Sequence, residues 1–92
     1  MKETNRFMKE IEELRIEINN IDDQLIGLLN KRGKLSKKIG NFKKLIGIDI
    51  LQPHREDEII NRMKAKSKIL EDTSIKAIWK EIMDACKIIQ EI

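Results

Sequence analysis

A chain of 92 residues with four glycines and one proline has room for a single small domain, whose core is marginal enough to favour association with another chain. With 40% hydrophobic and 38% charged residues it is too apolar to stay disordered, and it has the make-up of a helical protein. The net charge of +3, from 19 basic and 16 acidic residues of alternating sign, together with 3% aromatics, argues against a nucleic-acid surface, which calls for a one-sign stripe with stacking platforms.

Met1 to Lys9 is polar and reads as fraying into a first helix that runs from Glu10 to about Ile46. Its apolar residues are Ile11, Leu14, Ile18, Ile21, Leu25, Leu28, Leu35, Ile39, Phe42 and Ile46. Steps of mostly three and four mark a helix with one buried stripe. Arg32 stands in the stripe where an apolar residue belongs. A guanidinium there is costly unless an anion meets it, so the position points to a buried anion site. At about 1.5 Å per residue the helix is roughly 55 Å long. A domain of this chain length is only about 25–30 Å across. The stripe is therefore predicted to be covered by a second copy of the chain. Gly27, Gly33 and Gly40 lie inside this helix, each costing about 1 kcal/mol relative to Ala. They read either as close approach of another helix or as room for a ligand beside Arg32. Gly47 suits the left-handed residue that ends a helix.

Ile48 to Gln52 connects to a second helix, whose first turn is pre-set by Pro53. It continues from His54 to about Ser67, with Ile59, Ile60 and Met63 on its apolar side. Gln52 is a mediocre N-cap, its side chain being longer than the preferred Asp or Ser. After a loop from Lys68 to Thr73, Asp72 or Thr73 caps a third helix that ends near Glu91. The apolar face there is Ile75, Ile78, Trp79, Ile82, Met83, Cys86 and Ile89. The sequence holds no alternating strand pattern, internal repeat or linker. The expectation is an all-α protein: three helices per chain, one long, one short and one medium, with residues 1–92 as one domain. Doubling it gives a homodimeric six-helix bundle.

The one cysteine, Cys86, has no intramolecular partner and fits a reducing compartment. No run approaches the roughly 18 apolar residues of a membrane span, and Met1 to Glu10 lacks the apolar segment of a signal peptide. A cytoplasmic protein without a membrane partner is expected. His54 alone makes no His-based metal site, and no acidic cluster has ligand spacing, so no metal is expected.

The cations of the first helix carry the chemical signal. Arg32 and Lys43 are 11 residues apart, which returns to the same face within about 20° and separates the backbones by roughly 16 Å. Two long side chains on that face can grip a small anion. Arg15 lies about 26 Å from Arg32 along the axis and roughly 100° round. It joins no such site from its own helix, but can join that of an antiparallel partner. Most Lys and Arg on a helix simply face solvent, and that reading stays open for Arg15 and Lys43.

The string Leu14-Arg15, Ile18, Ile21-Asp22, Leu25, Leu28-Leu29, Arg32, Ile39 and Lys43 resembles the long first helix of the all-helical chorismate mutases. The resemblance continues in Pro53-His54-Arg55-Glu56, at the opening of the second helix. It ends with Cys86 and Gln90, where the family has a small polar residue followed four later by Gln or Glu. It implies an entwined homodimer with two identical sites that rearranges chorismate to prephenate without a cofactor. By the same resemblance, Arg32 and Arg55 bind the two carboxylates from within the chain, and Arg15 is donated to the partner's site. Lys43 and Gln90 address the ether oxygen, and Glu56 holds the ring hydroxyl.

Elementary chemistry agrees with those roles. A unimolecular pericyclic rearrangement needs no nucleophile or metal, only a flexible dianion held in its compact conformer. Guanidiniums suit carboxylates. A Lys ammonium and a neutral amide beside the breaking C–O bond stabilise charge that grows in the transition state. Two positions depart from the family. Gln52 stands where relatives carry Asp, at the contact to the ring hydroxyl and at the helix cap. Cys86 stands where Ser or Asn is common, and reads equally as a small buried apolar residue. Two alternatives compete: elimination of pyruvate from isochorismate on the same fold, and a helical dimerisation module without chemistry. The second leaves Arg32 and the Arg55-Glu56 pair unexplained.

Overall fold

The computed structural model describes residues 2–91. They form helices α1 (Lys2–Ile46), α2 (Pro53–Lys66) and α3 (Asp72–Glu91), and among the described residues there is no strand. The all-α reading with one long, one short and one medium helix therefore holds. Two boundaries differ from the sequence reading. Helix α1 starts at Lys2, because nothing from Lys2 to Lys9 breaks it. Arg6 pairs with Glu10 one turn on at 3.4 Å and lies over the Phe7 ring, the kind of local support worth a few tenths of a kcal/mol. Helix α3 includes Asp72 in its first turn, so the flanking residue is Glu71, whose carbonyl accepts the Ile75 N–H at 3.0 Å. The Asp72 carboxylate then sits at the positive end of the helix dipole.

The connections are fixed by backbone chemistry. Gly47 takes φ +74° and the Ile48 N–H reaches back to the Lys43 carbonyl at 2.9 Å. That is the six-to-one bond of a glycine-terminated helix. Pro53 opens α2, and Gln52 makes no side-chain cap; its amide donates instead to the Asp49 carbonyl at 3.2 Å. At the far end of α2, the Ser67 hydroxyl donates to the Leu70 carbonyl at 2.9 Å and holds the turn into α3.

Residues 2–31 are helical throughout. Their stripe residues, from Ile11 to Leu28, are all exposed. Residues 32–91 bring the end of α1 together with α2 and α3 around Ile59, Ile75, Met83 and Cys86. Here α1 contributes small residues: Gly33, Ser36 and Gly40 are its buried positions. A Cβ on Gly33 would lie 3.1 Å from Ile89 Cδ1, and one on Gly40 would lie 2.8 Å from Gln90 Cβ and 3.0 Å from Gln90 Cα. Gly40 admits the backbone of α3 and Gly33 the tip of the Ile89 side chain, which decides for these two in favour of close packing. Among the described residues, nothing lies within 4 Å of a Cβ built on Gly27.

The stripe is not the face of α1 that meets α3. Leu35, Ile39, Phe42 and Ile46 are 51–69% exposed. The face that meets α3 lies roughly 80–140° round from Leu28, where Ser36, Gly40 and Gly33 fall at 100° per residue. Small side chains let backbones approach, while the large apolar ones need a partner with space for them. No described helix is long and apolar enough to cross a membrane.

Candidate active site

The end of α1, the start of α2 and the last turns of α3 line a cavity of about 340 Å³, at the small end of the range for small-molecule sites. Its charged lining is Arg32 and Lys43 from α1, Arg55 and Glu56 from α2, and Lys87 from α3, four cations against one carboxylate. Ser36, Gln52, Cys86 and Gln90 add uncharged polar groups, and Leu35, Ile39, Ile50, Ile59 and Met83 make the apolar wall.

Helix geometry explains why Arg32 interrupts an apolar pattern. It falls about 40° round from Leu28, and Lys43 about 60°. Both stand on the border between the exposed stripe and the small-residue face. From there the Arg32 side chain turns toward α3, where its Nη1 donates to Cys86 Sγ at 2.9 Å. Lys43 Nζ donates to the Ile50 carbonyl at 3.0 Å, tying the connection after α1 to the cavity rim. Arg55 remains exposed and pairs with Glu58 one turn on at 3.1 Å, which leaves further donors of its fork free to turn inward.

Gln90 is buried, 8% exposed, and among the described residues its Oε1 has no hydrogen-bond partner. Such a group in a native structure demands an explanation. Its backbone is pinned by Gly40, so the amide is held at the cavity wall. A half-turn of the amide exchanges that carbonyl for its NH₂ group, so the side chain can present a donor to a bound oxygen.

Seven of the eight residues singled out in the sequence line this cavity: Arg32, Lys43, Gln52, Arg55, Glu56, Cys86 and Gln90. Arg15 does not; it is exposed and pairs with Glu12 of its own helix at 2.6 Å. Cys86 is buried, and its Sγ accepts from Arg32, a contact the sequence reading did not include. The residue that sequence reasoning missed is Lys87. Its Nζ donates to Glu56 Oε2 at 3.1 Å and lies 3.1 Å from Asp84 Oδ1. Hydrogen bonds to Asp84 first and Glu56 second raise its pKa above the ordinary lysine value, against the opposing effect of burial. The available signal was spacing. Lys87 lies four after Met83 and three before Gln90, on the same face as both. Among the described residues, no three His, Cys, Asp or Glu side chains gather as metal ligands do.

Comparison with known proteins places this geometry among relatives. The family model described as chorismate mutase type II matches residues 14–91. A bifunctional chorismate mutase/prephenate dehydratase of Aquifex aeolicus is 37% identical over 84 residues, covering 86% of this chain and 23% of that protein. A chorismate mutase of Methanocaldococcus jannaschii is 31% identical over 62 residues, covering 67% of this chain and 63% of that one. The chain thus spans less than two thirds of either relative. The solved structure of chorismate mutase (form II) from Thermus thermophilus superposes with a TM-score of 0.87 at 29% identity, over 89% of this chain and 94% of that one.

Proposed function

This chain belongs to the chorismate mutase type II family, and we propose that it carries out that reaction, rearranging chorismate to prephenate on the way to phenylalanine and tyrosine. The observation that carries this reading is the charge of the cavity, four cations against one carboxylate beside a buried uncharged amide. A dianion answers the surplus, and the amide suits an oxygen on which negative charge develops.

In this reading Arg32 and Arg55 take the two carboxylates, and Arg15 of the partner subunit reinforces one of them. Together they hold the substrate in the compact conformer from which it reacts. As the C–O bond breaks, charge grows on the ether oxygen. Lys43 and Gln90 meet it there, binding the transition state better than the ground state. Glu56 accepts the ring hydroxyl. Gln52 and Cys86 complete the lining, Gln52 through an amide already engaged with the Asp49 carbonyl and Cys86 as the rest against which Arg32 is set. The chemistry calls for no metal or cofactor.

The working unit is an entwined six-helix homodimer in the cytoplasm, each chain one domain over residues 1–92. The exposed stripe of α1 supports the dimer, since its ten large apolar residues stand 46–69% exposed. Incubating the purified chain with chorismate and with isochorismate tests the proposal. Prephenate from chorismate is the expected product. Pyruvate released from isochorismate, with chorismate untouched, replaces the mutase reading by the lyase.

A further inference from the structure

Lys87 has no part in the reaction as described, yet it lines the same cavity and is only 25% exposed. Its ammonium bridges two helices. Asp84, one turn earlier on α3, holds it at 3.1 Å, and it reaches Glu56 Oε2 in the first turn of α2 at 3.1 Å. Glu56 is 21% exposed, so the contact is largely sheltered from water. Among the described residues, the other Glu56 oxygen has no hydrogen-bond partner.

Consider Glu56 without this contact. It is the one carboxylate in a cavity that also holds Arg32, Lys43 and Arg55. A flexible Glu side chain would be drawn to one of those cations and would neutralise a group needed for a ligand carboxylate. Lys87 removes that competition by engaging Glu56 at the junction of α2 and α3. The ammonium is charged across the physiological range, as that of any lysine is, and its pKa is raised further by the bonds to Asp84 and Glu56.

We propose that Lys87 is a positioning residue, whose ammonium fixes one oxygen of Glu56 so that the other is offered to the ligand's hydroxyl. The inference rests on the mutase reading for the identity of that hydroxyl. It acts through Glu56, not through a contact of Lys87 with the substrate.

The test uses the full chain and four variants: Lys87→Met, Lys87→Arg, Glu56→Gln and the double variant Lys87→Met/Glu56→Gln. With chorismate as substrate, Lys87→Met should raise KM about tenfold and change kcat little, because the hydroxyl contact is present in both ground and transition states. Lys87→Arg should recover most of that loss. In the Glu56→Gln background, Lys87→Met should add nothing, since the group it positions is already altered. Additive effects, or a loss confined to kcat, would overturn the inference. Nitrogen-15 NMR of the Lys87 ammonium supplies a readout independent of turnover. Its titration midpoint should fall on Glu56→Gln, and an unchanged midpoint also overturns the inference. If the wild-type chain does not turn over chorismate, the mutase reading fails by itself. The NMR arm then still decides whether Lys87 fixes Glu56.

Discussion

Gly40→Ala puts the link between packing and chemistry under the sharpest strain. The added Cβ would lie 2.8 Å from Gln90 Cβ, 2.9 Å from Cγ and 3.0 Å from Cα. Carbon atoms pack comfortably at about 3.5–4.0 Å. A rotamer change can move Cγ, but Cα is backbone, so the last turn of α3 must retreat by on the order of 0.5–1 Å. Overpacking of this kind costs about 1–3 kcal/mol, and the better helix propensity of Ala returns about 1 kcal/mol. The net loss of stability is therefore about 0–2 kcal/mol, a modest fall in melting temperature. On the proposed mechanism activity should suffer far more, because the retreat would carry Gln90 away from the ether oxygen. A displacement of that size near the chemistry costs about 100-fold in kcat. The control is Gly27→Ala, where nothing lies within 4 Å; it should raise the melting temperature and leave turnover intact. Thermal unfolding and steady-state kinetics on both variants decide the matter. A Gly40→Ala enzyme within about threefold of wild-type kcat/KM would refute the claim that this contact sets the position of Gln90.

Three further outcomes follow from the same geometry. Gln90→Glu should be active only with its carboxyl protonated, so its rate should climb as pH falls toward a Glu pKa of roughly 4–5, while the wild-type rate shows no such climb; an unchanged pH–rate profile removes Gln90 from the site. The Lys87 pKa is raised on folding, so its ion pairs stabilise the fold fully below the ordinary lysine value and lose that effect as pH rises through the raised one; the melting-temperature gap between wild type and Lys87→Met should be flat through neutral pH and close in strong alkali. Arg15→Ala and Arg32→Ala should each cost on the order of 2–5 kcal/mol in transition-state binding. Mixing the two should restore about a quarter of wild-type activity through heterodimers with one intact site, provided exchange is shown by mass spectrometry.

Much of the architecture was legible because helical periodicity is a strong signal in α1 and α3, and because Pro53 and Gly47 carry fixed backbone preferences. The glycines at 33 and 40 pointed to a close helix contact. What the pattern concealed was which face of α1 makes it. Hydropathy marks Leu35, Ile39 and Phe42, while the face meeting α3 consists of Gly33, Ser36 and Gly40, which carry almost no hydropathy signal. The start of α1 was misplaced because polar residues from Lys2 to Lys9 look like a fraying end, although local pairs such as Arg6–Glu10 extend the helix. Lys87 was invisible for another reason. A lysine on an amphipathic helix reads as solvated, and the carboxylate that gives it meaning, Glu56, lies 31 positions away in the chain.

On the proposed dimer, the two faces of α1 would also tie assembly to chemistry. Leu35 and Ile39 belong to the exposed stripe, at 60% and 51% exposure, and they are also wall residues of the cavity. Arg32 and Lys43 stand on the border between that stripe and the small-residue face, so the cationic lining opens toward the apolar surface that lacks cover. A second copy laid along the stripe would therefore do more than bury hydrocarbon. It would close the open side of the cavity, exclude water from the guanidiniums, and lower the effective dielectric in which they grip a dianion. In a solitary chain the same cations face water, where their attraction for carboxylates is several-fold weaker. The position of Arg15 fits this logic. Within its own helix it pairs with Glu12 on an exposed surface, a contact weak enough to be given up for a substrate carboxylate. Stability and catalysis would then draw on one interface, which accounts for so small a chain carrying so long an exposed apolar helix.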